Sequence, residues 1–241
     1  IAALGTALPQ TAAHTYDAAG RMVIPGFVDC HTHLDKSLLN ERAPYEEGTG
    51  AQKGALTRGE KAKFTVEDIT QRAERVIRRA LASGTVALRT NVDVDAIVGL
   101  QGIEALLALR EQYRDRITIQ VAAFAQEGVF SHPKTAELLE EAMRMGADLI
   151  GGHTITCGEG EKQIDWILDL AQRYGVEADF HLDESGNRSD YLLPYTVRKV
   201  KELGLEGKVN GIHLCTLAAL EPQELEEALA LLVEGGIKVT V

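Results

Sequence analysis

Histidines and a carboxylate lie where the sequence predicts the ends of buried strands. His31 and His33 lie at the end of an apolar run over 22–31, His181 ends another run, and Glu184 follows three residues later. Side chains two apart in a strand point to the same face, so His31 and His33 can reach one point. Three imidazoles are the ligand set of a catalytic zinc site with a position open for water. A nearby carboxylate such as Glu184 can carry protons during hydrolysis.

A fourth histidine, His213, ends a further apolar run. It could be a ligand itself, or it could polarise a bound substrate. The alternative is structural: His181 and His213 would be buried core histidines and Glu184 a solvated loop charge. That alternative is favoured for either histidine alone, whereas four histidines at three strand ends favour the catalytic site.

The strands that would hold these side chains are seven short apolar runs, over 22–31, 85–92, 117–125, 147–152, 176–182, 209–214 and 237–241. Because the runs are nearly continuous in apolar residues, they are typical of parallel strands buried on both faces. Apolar residues at helical spacing predict helices over 66–82, with Thr65 as N-cap, and over 162–174. A left-handed residue is expected after five of the predicted helices, at Gly84, Gly146, Gly175, Gly204 and Gly235.

Repeated strand–helix units indicate an α/β fold with a parallel sheet, either doubly wound or closed into a (β/α)₈ TIM barrel. No glycine-rich phosphate loop follows the first strand, and the polar candidates follow several different strands. Both observations favour the barrel, because barrel enzymes build their active sites at the C-terminal ends of the strands. Residues 35–64 form a long insertion after the first strand, which predicts a lid or a segment interface.

Composition narrows the class of partner. The formal net charge of −11 argues against nucleic acid and against an anionic membrane surface. No signal peptide and no membrane span is predicted, and three widely spaced cysteines (Cys30, Cys157 and Cys215) do not form a disulfide framework. We therefore expect a cytoplasmic protein whose cysteines are packing or loop residues.

Several motifs, in order, resemble the amidohydrolase superfamily. The stretch from Asp17 to His33 resembles its entry signature, in which a strand of a small β-sandwich leads into the first barrel strand. The runs 31–37, 90–94 and 120–128, with the His181/Asp183/Glu184 pattern, look more specifically like the cytosine deaminase branch, which includes N-isopropylammelide amidohydrolases. The resemblance implies that residues 1–22 are a remnant of an N-terminal β-sandwich and that 23–241 form the hydrolase barrel.

The resemblance also implies roles for individual residues. His31, His33 and His181 would hold one divalent metal ion, zinc or ferrous iron, and Glu184 would be the general acid/base. His213 would orient the attacking water or polarise the substrate. Gln126 would hydrogen-bond the amide edge of a heterocyclic substrate, for which a carboxamide offers both donors and an acceptor. A homo-oligomer is expected from the resemblance alone.

Two further residues are candidate substrate contacts. His153 lies in what the sequence predicts to be the loop after the fourth strand, where a surface histidine is the equally favoured alternative. Lys36 follows the His31/His33 pair and could contact a substrate oxygen, although a salt-bridged or solvated lysine is favoured.

The sequence departs from the resemblance at three places. The family's remaining metal ligand is an aspartate after the eighth barrel strand, whereas this sequence stops after the seventh predicted strand, so the barrel is expected to lack its last strand. We expect an incomplete copy of a larger enzyme rather than a truncated barrel.

Asn91 stands where relatives carry histidine, and residues 151–158 differ from a cytosine deaminase, which argues against cytosine as substrate. The same loop offers no lysine for a carbamate bridge, which favours one metal ion.

The predicted function is therefore metal-dependent hydrolysis of a C–N bond in a small cyclic amidine or amide, such as a pyrimidine, a triazine or a creatinine-like ring. Ring opening of a cyclic amide is the alternative within the same chemistry. A catalytically inactive barrel that only binds a ligand is the alternative from another class.

Overall fold

The computed structural model describes residues 3–6, 8, 11–44 and 50–241. Within these ranges seven strands form one parallel sheet whose spatial order follows the sequence. They are β1 (Phe27–Thr32), β2 (Thr85–Asp93), β3 (Thr118–Ala125), β4 (Leu149–His153), β5 (Glu177–Leu182), β6 (Val209–His213) and β7 (Lys238–Thr240). The sheet curls into a nearly closed barrel, which confirms the predicted TIM-barrel architecture with one strand missing.

Helices alternate with the strands. Those in the described ranges are α1 (Gly50–Lys61), α2 (Val66–Ala82), α3 (Gln101–Tyr113), α4 (Pro133–Met145), α5 (Gly160–Tyr174), α6 (Leu193–Leu203) and α7 (Pro222–Glu234). None of the helices in the described part of the chain is long and apolar enough to cross a bilayer.

Helix α2 shows why the local predictions succeed. Its N-cap is Thr65, whose side-chain oxygen accepts a hydrogen bond from the Asp68 backbone N–H at 3.1 Å. Ile69, Ala73 and Ile77 in its apolar stripe are fully buried, and the other members of the stripe pack against the core. The cap fixes where the helix begins, and burial of one face stabilises its length. The helix therefore spans the residues that the sequence predicts.

The left-handed residue after the last helix is not the one predicted. Gly84, Gly146, Gly175 and Gly204 adopt positive φ as expected, but Gly235 has a φ of −80° and Gly236 has a φ of 58°. The helical path continues through Gly235, and the Ile237 N–H then closes the helix by donating to the Leu232 carbonyl at 2.9 Å. The left-handed conformation of Gly236 turns the chain so that this hydrogen bond can form.

The N-terminal region also differs from expectation. β1 begins at Phe27, where its pairing with Thr85 of β2 begins, and residues 22–26 lie outside the strand. Met22 and Val23 are largely exposed. The described residues before Phe27 form no strand, so the sandwich segment over 1–22 stays a prediction.

The insertion over 35–64 has secondary structure of its own. Two 3-10 turns, Leu34–Lys36 and Leu39–Glu41, precede α1. The sequence does not predict α1, because this helix contains three glycines and few apolar residues.

Arg89 crosses the interior of the barrel from β2. Its guanidinium donates to the Gln120 side chain at 3.0 Å, to Asp179 at 2.8 Å and to Glu177 at 3.1 Å. Asp179 is fully buried, and burial raises the pKa of its carboxyl despite the neighbouring Arg89. The carboxylate therefore depends on Arg89 as its ionic partner.

Arg89→Met is expected to lower the free energy of unfolding by about 3–5 kcal/mol, because it leaves a buried carboxylate without its partner. Urea denaturation measures the change. Arg114→Met is the matched control, since Arg114 pairs with Glu111 on the surface and such pairs contribute about 0–1 kcal/mol. Equal losses for the two variants would contradict the role given to Arg89.

Candidate active site

Four imidazoles converge at the C-terminal ends of three strands. His31 lies in β1, His33 follows it directly, His181 lies in β5 and His213 ends β6. The ring centroids of His181 lie 4.9 Å from His31, 5.3 Å from His33 and 4.7 Å from His213. The structure thus brings together all four histidines that the sequence placed at strand ends.

Three of these imidazoles are arranged as a ligand group. Ligand atoms of His31, His33 and His181 all lie within 4.8 Å of one another. Nδ1 of His31 and Nε2 of His181 are buried without a hydrogen-bond partner. Buried ring nitrogens without partners are costly, and a shared divalent ion would satisfy them. The donor set therefore fits a divalent metal.

The orientation of His33 is fixed by the main chain of β2. Its Nδ1 donates to the Asn91 carbonyl oxygen at 2.8 Å, which leaves Nε2 as the nitrogen available to a metal. A carbonyl oxygen is present whatever side chain position 91 carries. The Asn91 departure noted in the sequence therefore does not disturb this contact.

Burial favours the neutral form of the three candidate ligands, His31, His33 and His181. It is the main reason that the pKa of His31 is lowered, that the pKa of His33 lies well below its usual value, and that the pKa of His181 falls to about 4. Metal ligation requires neutral imidazole, so the protonation state at neutral pH suits the ligand role.

Glu184 lies beside the ligand group, in the loop after β5. One of its carboxylate oxygens lies 2.8 Å from Nε2 of His153 and 3.4 Å from Nδ1 of His181, and the other lies 3.8 Å from Nε2 of His213. Hydrogen bonds from His153, and then from His181, hold the pKa of Glu184 well below its usual range. The carboxylate is therefore ionised at neutral pH, which is the form that a general base requires.

His153 is not a surface loop residue. It is the last residue of β4 and is 8% exposed, so the loop starts at Thr154 rather than before it. The glycines before it belong to the strand: a Cβ on Gly151 would lie 2.2 Å from the Asp179 carbonyl oxygen and 2.9 Å from the Phe124 ring. The missing side chain lets Phe124 lie beneath the site, with its centroid 4.5 Å from His181.

The backbone is strained where β5 and β6 end at the site. Asp183, His213 and Leu214 have φ values of 54°, 78° and 49°, which residues other than glycine rarely adopt. The Asp183 carboxylate accepts from the Leu192 and Leu193 N–H groups, at 2.7 and 3.2 Å. Burial nevertheless raises its pKa to about 6. These contacts fix the loop that carries Glu184.

A cavity of about 680 Å³ opens next to Glu184. Its lining includes Lys36, Gln126, His153 and Glu184. The cavity has the size of a small-molecule site. Helix α1, which lies in the insertion over 35–64, forms part of its wall through Gly54, Thr57, Arg58 and Lys61.

Lys36 forms a salt bridge, as the sequence analysis favoured over a direct substrate contact. Its Nζ lies 2.8 Å from Asp93 and donates to Oε1 of Gln126 at 3.1 Å. Gln126 is half-buried and faces the cavity, not open solvent. Both residues therefore lie where a substrate could reach them.

Sequence reasoning missed a buried group of charges behind the cavity. Lys61 is fully buried, and its Nζ lies 2.5 Å from Asp93, 2.9 Å from Asp95 and 3.1 Å from Glu127. Burial opposes ionisation of Asp93, but Lys36 and Lys61 outweigh it and lower its pKa. The acidic residues at the end of β2 and just after it were visible in the sequence, but the lysine that pairs with them lies more than thirty residues earlier, in the unpredicted α1.

None of the three cysteines belongs to a candidate metal-ligand group in the described residues. Cys30, Cys157 and Cys215, all in the described part of the chain, are free thiols, and Cys30 and Cys215 are exposed.

Comparison with known proteins places the chain in a family. Residues 14–241 match the model of the Amidohydrolase family, to which the chain therefore belongs. It is 34% identical over 229 residues to an N-isopropylammelide isopropyl amidohydrolase of Pseudomonas sp. (strain ADP), covering 92% of this chain and 57% of the relative. It is 31% identical to a pterin deaminase of Rhizobium rhizogenes, covering 92% of this chain and 51% of the relative.

Solved structures agree with these relatives. A 5-methylcytosine deaminase from Klebsiella pneumoniae with bound 5-fluorocytosine matches with a TM-score of 0.86 and 33% identity, over 95% of this chain and 58% of that one. An N-isopropylammelide isopropylaminohydrolase from Burkholderia multivorans matches with a TM-score of 0.80 and 34% identity. The match covers 89% of this chain and 55% of that one. The predicted branch of the family is confirmed. The chain spans about half the length of the relatives it matches.

Proposed function

We propose that this chain forms the catalytic barrel of a metal-dependent hydrolase, which removes an exocyclic nitrogen from a small cyclic amidine or amide. The observation that carries the proposal is the ligand group of His31, His33 and His181, with unpartnered ring nitrogens, directly beside the ionised Glu184. Relatives named for ammelide, pterin and methylcytosine chemistry support a planar heterocycle as substrate.

In the proposed site the three histidines hold one divalent ion, zinc or ferrous iron. When bound, such an ion supplies Lewis acidity, which makes water a competent nucleophile near neutral pH. His213 would not ligate the ion. Its Nε2 lies within 4 Å of Glu184, so it would orient the attacking water or polarise the ring.

The proposed proton transfer runs through Glu184. A water oxygen bonds to the ring carbon that carries the exocyclic nitrogen, and Glu184 takes a proton from that water. Glu184 then gives the proton to the nitrogen, the carbon–nitrogen bond breaks, and ammonia or an amine leaves an oxo-substituted ring. Gln126, His153 and Lys36 would hold the ring in the cavity. A homo-oligomer and a cytoplasmic location stay predictions.

The test is hydrolysis by the full-length protein after loading with Zn²⁺ or Fe²⁺. Aminopyrimidines, N-alkylaminotriazines, pterin and a hydantoin are supplied separately, and released ammonia or amine and the mass of the product are measured. We expect amine or ammonia release from at least one amino-heterocycle. Opening of the hydantoin ring alone would favour the cyclic-amide alternative, and metal binding without any hydrolysis would favour a barrel that only binds its ligand.

A further inference from the structure

The carbonyl oxygen of His181 accepts two hydrogen bonds from one residue, Thr154. The Thr154 backbone N–H donates to it at 3.2 Å, and the Thr154 hydroxyl donates to it at 3.1 Å. Thr154 directly follows β4, and both residues are buried. The backbone bond continues the pairing of β4 with β5, whereas the hydroxyl is an additional donor that only the side chain provides.

Thr154 is itself held by a buried glutamine of α5. The Thr154 carbonyl oxygen accepts from Nε2 of Gln163 at 3.2 Å, and Oε1 of Gln163 accepts from the Val129 backbone N–H at 3.0 Å. Gln163 is fully buried, so water does not compete for these bonds. The loop after β3 passes close to this carboxamide, since a Cβ on Gly128 would lie 2.9 Å from Oε1. Thr154 is therefore held through its N–H, its hydroxyl and its carbonyl.

The segment after His181 needs such restraint because its backbone is strained. Asp183 has a φ of 54°, and strained residues persist only where the surrounding contacts hold them. A second threonine, Thr216 in the 3-10 turn after β6, donates its N–H and its hydroxyl to the Asp183 carbonyl oxygen, both at 3.0 Å. Thr154 thus fixes the peptide directly after His181, and Thr216 fixes the peptide that leads to Glu184.

The ring of His181 depends on its backbone more than the ring of His33 does. The His33 ring is fixed directly, by the 2.8 Å bond from Nδ1 to the Asn91 carbonyl oxygen. In contrast, Nδ1 of His181 makes a long 3.4 Å contact with Glu184, and its Nε2 has no hydrogen-bond partner among the described residues. A ligand group works only when its supporting contacts hold each ligand closely in place.

We propose that Thr154 and Gln163 are positioning residues for His181, and that the affinity of the site for a divalent ion depends on them. The inference rests on the metal site of the proposed function. Neither residue would touch the ion or the substrate. They act by fixing the main chain from which the His181 imidazole extends.

The test measures the Zn²⁺ affinity of metal-free full-length protein by competition with a chromophoric chelator, at a temperature where circular dichroism shows every variant to be folded. Thr154→Val replaces the hydroxyl by a methyl group and is expected to weaken Zn²⁺ binding by about tenfold or more, the loss typical when a group that supports a ligand is removed. Thr154→Ser keeps the hydroxyl, so its affinity should stay within about twofold of the unsubstituted protein.

Thr216→Val is the matched control for Thr154→Val. It removes the same kind of buried hydrogen bond from the same strand end, but it releases the peptide before Glu184 and not the one after His181. We therefore expect a similar loss of thermal stability, with a Zn²⁺ affinity within about twofold of the unsubstituted protein.

A second pair of variants tests the support of Thr154 by α5. Gln163→Met removes both carboxamide hydrogen bonds and is expected to weaken Zn²⁺ binding by about threefold to tenfold, because it acts through Thr154. Gln172→Met is its control: Gln172 is exposed on the same helix and donates to the Leu203 carbonyl oxygen at 2.9 Å, so the affinity should not change. Unchanged affinity in Gln163→Met would remove Gln163 from the inference.

The inference is overturned if Thr154→Val keeps the full affinity, or if Thr154→Ser or Thr216→Val loses as much as Thr154→Val does. Absence of Zn²⁺ binding by the unsubstituted protein would overturn the inference together with the metal site. Hydrolysis of amino-heterocycles is measured separately. Zn²⁺ binding that depends on Thr154, without any hydrolysis, would refute the proposed function and keep the inference, whereas hydrolysis with unchanged affinities would do the reverse.

Discussion

Replacing Glu184 by glutamine is expected to lower kcat by about 10³-fold, within the range that positioned proton transfer supplies, while the metal content stays unchanged. Glutamine keeps the size of the side chain and can still hydrogen-bond His153. It cannot take a proton from water or deliver one to the leaving nitrogen. Steady-state kinetics on whichever amino-heterocycle is hydrolysed gives the change.

Glu137→Gln is the matched control, because Glu137 is an exposed residue of α4. It should behave as the unmodified protein does. A Glu184→Gln enzyme that keeps more than a tenth of the activity would assign proton transfer to another group. Loss of the metal together with activity would instead make Glu184 part of the ligand group.

Removing the metal is expected to abolish activity completely and reversibly. Dialysis against a chelator would remove the ion shared by the three imidazoles. The Lewis acidity that the reaction needs would be lost with the ion. Adding about one equivalent of Zn²⁺ or Fe²⁺ per chain should restore hydrolysis, and the better ion identifies the natural metal. Titration of activity against added metal measures both quantities.

Circular dichroism before and after chelation is the control, because the barrel is held by its apolar core and by ion pairs such as Arg89–Asp179, which do not depend on the metal. An unfolded chelated protein would make the ion structural. Hydrolysis that survives complete removal of the metal would contradict the proposed chemistry. Restoration only at two equivalents would contradict the prediction of a single ion.

The sequence predicted those features that depend on local pattern. Buried strands and amphipathic helices leave periodic signals, which is why α2 begins and ends as expected and why the histidines were placed at strand ends. Their convergence followed from the barrel itself, because parallel strands present their C-terminal ends on one face.

Features that depend on distant partners could not be predicted. His153 follows two glycines, a pattern typical of a loop, but Gly151 lies in β4 because only its missing Cβ clears the Asp179 carbonyl oxygen. The role of Lys61 depends on Asp93, Asp95 and Glu127, which are 32 to 66 residues away. No local pattern links a lysine in a glycine-containing helix to three carboxylates at or just after the ends of two strands.

The most direct test of the central claim is the metal content of the purified full-length protein by elemental analysis, compared among four forms. We predict about one zinc or iron per chain in the unmodified protein and in His132→Ala, whose histidine is an exposed N-cap of α4. His181→Ala should lose the ion. His213→Asn should keep it, since asparagine tolerates the left-handed backbone at 213 and His213 is not assigned as a ligand. No ion in the unmodified protein after growth with zinc and iron, or full retention in a folded His181→Ala, would contradict the assignment of a metal-dependent hydrolase site.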